Sequence, residues 1–137
     1  MKKIVLPGVL AGILMAIVGM GIGYIFNAIF PSLMAEYSNT AVFRAMEDPL
    51  MSLFFIYPFI LGIALAWIWD KTKGLFKGSF WERGAMFGLA FFIAGSIPGM
   101  IITYSSFQVS LLITSTWTLN GLTNGLITGW ICAKMNK

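Results

Sequence analysis

The sequence predicts an all-α integral membrane protein: four transmembrane helices in two parallel-repeat hairpins, with both termini in the cytoplasm. Three observations carry that expectation: composition, the placement of apolar stretches and basic residues, and a glycine spacing that occurs twice. Of 137 residues, 58% are hydrophobic and only 10% charged. A soluble domain clothes itself with about 25% charged residues, so this chain lacks the means to cover a globular surface in water. One domain, residues 1–137, accounts for the length.

Each span follows from an uncharged stretch long enough for a hydrocarbon core of ~30 Å. The stretches run from Ile4 to Phe30, Met51 to Trp69, Gly84 to Tyr104 and Val109 to Ala133, and none contains Asp, Glu, Lys or Arg. The first is too long for the apolar core of a signal peptide and lacks a cleavage site, so it reads as a retained helix. Lys2, Lys3, Lys71, Lys73, Lys77, Arg83, Lys134 and Lys137 fall on one side and only Arg44 on the other. By the positive-inside rule this places both termini in the cytoplasm of a plasma-membrane protein, with Trp67, Trp69, Trp81 and Trp130 as an interfacial belt. Ser79 and Glu82 have capping-box spacing for the third helix, and Asp48-Pro49 has an N-cap pattern for the second. Residues 31–49 form the extracytoplasmic loop. Met34, Tyr37, Ala41 and Ala45 there outline a surface helix, with Arg44 and Asp48 paired, and a plain polar loop is the alternative.

The repeat joins the hairpins. Gly8, Gly12, Gly19 and Gly23 recur 76 residues later as Gly84, Gly88, Gly95 and Gly99. At about 100° per residue each set lies in an arc of about 80° on one helix face. The second helix matches the fourth at a shift of 63 residues, with Gly62 on Gly125, Ala66 on Gly129 and Trp67 on Trp130. Repeat 1 then covers about residues 1–73 and repeat 2 about 79–137. This arrangement predicts that helices one and three meet through their glycine faces, since small residues let backbones approach closely in lipid.

The fourth helix is the least lipid-like. Thr116, Asn120, Thr123 and Asn124 share one face; Gly121, Gly125 and Gly129 form a small-residue seam nearly opposite. Two amides one turn apart must point at a helix, a subunit or a wet cavity, because an unpaired amide in hydrocarbon costs several kcal/mol. Pro98, within Gly95–Gly99, interrupts the third helix and frees a carbonyl near Ala94, with Gly19–Gly23 as the corresponding weak point in the first. Tyr57 adds a polar group nearby.

What the chain lacks narrows its chemistry. It has no histidine and a single cysteine, Cys132, so a histidine base and an internal disulfide are excluded. No intramembrane charge suggests proton coupling. No metal or cofactor set is legible, and the basic residues sit where topology needs them, so no nucleic-acid partner is expected. The sequence thus points to a non-enzymatic membrane protein acting through helix–helix association, either as a homo-oligomer or as an accessory or structural subunit. Its partners are the lipid bilayer, itself and other membrane subunits. The contact groups would be Gly8, Gly12, Gly19, Gly23, Gly84, Gly88, Gly95, Gly99, Gly121, Gly125 and Gly129. The alternative is a small channel or carrier for a neutral or weakly coordinated solute, with its polar site at Tyr57, Thr116, Asn120 and Asn124.

Overall fold

A computed structural model describes residues 2–137, and every regular element among them is helical. Helix α1 runs unbroken over Lys2–Ile29. The short α2 (Ser32–Tyr37) follows, and a 3₁₀ turn at Pro49–Met51 leads into α3 (Ser52–Thr72). Helix α4 (Phe80–Phe91), a π-helical turn at Phe92–Ser96 and α5 (Ile97–Ser106) form one continuous rod. Helix α6 covers Leu111–Met135.

Three rods are long and apolar enough to cross a membrane: Lys2–Ile29, Pro49–Leu75 and Phe80–Ser106. Helix α6 matches them in length, but its hydroxyl and amide side chains set it apart by composition.

The helix starts follow from local chemistry. The Asp48 side chain accepts from Leu50 N at 2.8 Å, with Pro49 filling a first-turn position that has no use for an N–H. Ser79 and Glu82 form both halves of a capping box on α4, and Ser110 caps α6 by accepting from Ile113 N. The π turn precedes Pro98, which has no N–H to offer the Ala94 carbonyl; the Ile97 N–H bonds Phe92 O five residues back. The expected counterpart at Gly19–Gly23 is absent, because α1 continues through it. Without a proline, the glycines alone leave the backbone ladder intact.

The rods are ordered α3, α1, α6, α4: α1 packs along both α3 and α6, and α6 along both α1 and α4. The expectation that helices one and three meet through their glycines is therefore corrected. In each stripe the two glycines nearer the basic end, Gly8 and Gly12 or Gly84 and Gly88, face the partner within their own hairpin. A Cβ on Gly8 would lie 2.6 Å from Ile63 Cα, and one on Gly12 2.9 Å from Phe59 Cα. A Cβ on Gly62 would run into the Gly8 carbonyl. In the second hairpin Gly88 faces Gly125, and a Cβ on Gly129 would run into the Gly84 carbonyl. A helix entering from the same end as its neighbour leaves finds its sequence-adjacent partner first, and the stripes are spent there.

Register needs a second correction. Gly62 stands against Gly8 as Gly129 stands against Gly84, a shift of 67 residues rather than the 63 of the sequence match. The difference is one helical turn. A small-xxx-small seam presents nearly the same surface every four residues, so such a slide keeps the close approach.

Two hydrophobic centres cap the bundle. At the end carrying most basic residues, Leu65, Ala66 and Trp69 of α3 pack with Phe87, Cys132 and Ala133. Trp69, expected in an interfacial belt, is fully buried, stacked on Phe76 and edge-on to Phe87. At the opposite end Leu33, Val109 and Ile113 gather Phe26, Tyr37, Phe43 and Trp117. Helix α2 buries Leu33 and ends at Tyr37, so Met34, Ala41 and Ala45 make no common apolar face. Arg44 and Asp48 do pair, at 2.8 Å, but in a turn segment rather than a helix.

The seams give a direct test. Gly129→Leu should lower stability by about 3 kcal/mol or more, because the side chain meets backbone that has no way to yield. Gly99→Ala, with nothing within 4 Å of its Cβ position, should stay within about 0.5 kcal/mol of wild type. Reversible unfolding of both variants in mixed detergent micelles reads the difference.

Candidate functional site

The polar residues of α6 converge on α1. Asn120 lies beside Gly19, where an added Cβ would sit 3.3 Å from Asn120 Oδ1. Thr128 is fully buried and donates to Asn124 O and, at 3.7 Å, to Met15 Sδ of α1. Thr116 donates to Leu112 O at 2.9 Å, and Asn120 Nδ2 donates to Thr116 O at 3.1 Å. Thr123 donates to Asn120 O, and Asn124 is buried. Most of these donors bond the helix's own carbonyls three or four residues back. The hydroxyls and the Asn120 N–H are thus engaged along the rod, whereas Asn120 Oδ1 and the Asn124 side-chain amide have no hydrogen bond among the described residues.

The opposite face of α6 meets α4. Gly125 and Gly129 take the backbone of Gly88 and Gly84, while Gly121 admits Ser96 Oγ from the π turn. Helix α6 is therefore a central post with one polar and one bare face, each committed to a different neighbour.

Not every expected contact residue finds a partner. Gly95 meets only the Phe91 ring of its own rod, and Gly23 and Gly99 have nothing within 4 Å of a Cβ position. Tyr57 is 53% exposed on α3, and among the described residues no hydrogen bond joins it to Thr116, Asn120 or Asn124. In the outer halves of the rods the glycine spacing continues, but the helices no longer press together. Asn27 Oδ1, on α1 near that end, is buried without a hydrogen-bond partner.

Sequence reasoning missed two polar clasps. At the basic end Asn136, just beyond α6 and 3% exposed, joins three chain segments. Its Nδ2 donates to Lys3 O at 3.2 Å and Asp70 Oδ1 at 3.0 Å, while its Oδ1 accepts from Lys73 Nζ at 2.6 Å. Its backbone carbonyl accepts from Trp69 Nε1 at 2.8 Å. A signal did exist: Pro7 has no N–H, which leaves the Lys3 carbonyl needing a donor from outside the helix. At the other end, Glu36 of α2 accepts from Ser110 N at 2.7 Å, where a carboxylate also favours the positive start of α6. The Trp117 indole donates to Tyr37 Oη at 3.0 Å. Burial, aided by the Glu36 carboxylate, pushes the Tyr37 phenol above its ordinary value, although the indole hydrogen bond pulls it down.

Two cavities flank the rods. A shallow one between the π turn and α6 is lined by Phe92, Ser115, Thr118, Leu119 and Leu122. The other is an apolar groove of about 370 Å³ between α3 and α4. Among the described residues no cluster of His, Cys, Asp and Glu has the makings of a metal site. No family model, curated protein or solved structure matches the chain.

Replacing Asn136 tests the basic-end clasp. Asn136→Ala should destabilise by about 1–3 kcal/mol, since buried acceptors lose a donor. Asn136→Asp should be worse, because a second carboxylate would face Asp70 and the Lys3 carbonyl. Denaturant unfolding monitored at the tryptophans should show that order; an Asp variant equal to wild type would contradict it.

Proposed function

We propose that this is a non-enzymatic plasma-membrane protein of four spans with cytoplasmic termini, built from two hairpin repeats. On this reading it works by helix–helix association, as a homo-oligomer or as an accessory or structural subunit of a larger membrane complex. Support for α6 as the fourth span comes from its hydrogen bonding. Thr114, Thr116 and Thr128 are buried and return their hydroxyls to their own helix, so the rod hides its polarity from lipid. Support for orientation comes from the clustering of basic residues at the end tied by Asn136.

The observation that carries the association reading is the uncovered half of the molecule opposite the basic end. Ser52 through Tyr57 are exposed right around α3, and Gly21, Gly23 and Gly99 lie open. Lipid solvates such apolar surface, but bare glycine backbone there offers the close approach that the seams use near the other end. A second reading, a small channel or carrier, draws support from the π turn, since such turns are frequent at functional sites. It is weaker, because the hydroxyls and the Asn120 N–H that would line a path are engaged within α6.

The test uses glycines outside the hairpin seams. Gly23→Leu combined with Gly99→Leu should leave helix content and unfolding unchanged while abolishing higher-order species in membrane crosslinking and native gels. Unchanged migration would refute association through this surface. Reporter fusions at each terminus check the orientation separately.

A further inference from the structure

The α3–α4 face of the bundle is where an expected contact is missing. Helix α1 packs along α6, yet the equivalent pair under a two-hairpin arrangement, α3 and α4, does not close. The gap is the apolar groove, with Leu65 and Ile68 on one wall and Phe87, Ala90 and Phe91 on the other. Thr72 and Phe76 line its basic end.

The charge at that end is unbalanced. Arg83 lies one turn before Phe87 on the same face of α4, and its guanidinium sits 5.3 Å from the Trp69 ring centroid. Trp69 in turn stacks on Phe76 at the groove. Arg83 Nε is buried without a hydrogen-bond partner. Both carboxylates at this end are already committed: Asp70 to Asn136 and Lys73, and Glu82 to the Ser79 N–H and hydroxyl. Among the described residues Lys71, Lys77 and Arg83 therefore have no carboxylate counter-charge within ion-pair distance.

We infer that the groove between α3 and α4 holds an acyl chain of an anionic phospholipid whose headgroup phosphate is bound by Arg83. This rests on the membrane reading and adds a specific ligand to it. Apart from Thr72 the groove is lined by apolar side chains and Gly95, and Arg83 stands one turn beyond Phe87 at its basic end, which is the polarity of an inner-leaflet lipid read from tail to head. Arg is suited to the role, because its planar fork grips phosphate oxygens in pairs while the ring beneath it keeps the cation in place. Lys71 and Lys77 add attraction for anionic headgroups over a screening length.

Native mass spectrometry of the purified chain in neutral detergent tests this with phosphatidylglycerol and phosphatidylcholine of identical acyl chains. Wild type should retain phosphatidylglycerol at least tenfold more than phosphatidylcholine, and Arg83→Gln should retain both alike. Ala90→Trp, which fills the groove from an exposed position and leaves Arg83 untouched, should lose both adducts. Equal retention of the two lipids by wild type would overturn the inference, as would an Ala90→Trp variant that binds like wild type. Oligomers appear as separate mass series in the same spectra, so a failure of association and a failure of lipid binding are told apart.

Discussion

Backbone resting on backbone at Gly62–Gly8 and Gly129–Gly84 is the constraint from which the other packing follows. For rods solvated by acyl chains, apolar side chains would have no hydrophobic reason to prefer one another, so contact would come from dispersion and weak Cα–H···O bonds at short range. Only residues without a side chain allow that distance. Once each hairpin has closed this way, α6 has its bare face occupied by α4 and its polar face left for α1, and the order α3, α1, α6, α4 follows.

Proline sets a second layer of demands, and the structure meets each by a different route. Pro98 is accommodated by widening one turn to π geometry. Pro7 sits near the start of α1, where the orphaned Lys3 carbonyl is supplied by the Asn136 amide from the far end of the chain. A local backbone deficit thereby becomes a long-range tie, one that also positions Asp70 and Lys73. The Ser79–Glu82 box and the Glu36–Ser110 bond do comparable work at two helix starts, one from within the helix and one from the neighbouring α2.

The all-helical class, the helix starts and the bare faces were legible in the sequence because each depends on residues close together in the chain. Ser79 and Glu82, Asp48 and Pro49, and the glycine spacing carry their meaning locally. Partner choice was not legible. A glycine stripe states that something comes close without stating what, and the two hairpins share the spacing while differing by a turn in register. Trp69 was misread for a related reason: a tryptophan near a helix end suits an interface and a core equally, and Phe76, Phe87 and Arg83 decide which. Asn136 has no local pattern around it, and its role emerges only beside the Lys3 carbonyl freed by Pro7. Among the polar residues of α6, the sequence showed the two faces, and the structure showed how far the hydroxyls are satisfied within their own helix.

The Asn136–Lys3 bond joins residues 133 positions apart, whereas each glycine seam closes within a single hairpin. Loop closure of such unequal size implies an order of events during synthesis. The first hairpin can zip while the rest of the chain is still being made, and the second can do the same. The bond to Lys3 must wait for α6, so the segment around Lys3 stays unlatched until that helix has formed. The bond between Asn136 and Lys3 is thus a late contact, formed only when the rods on either side of it are both in place.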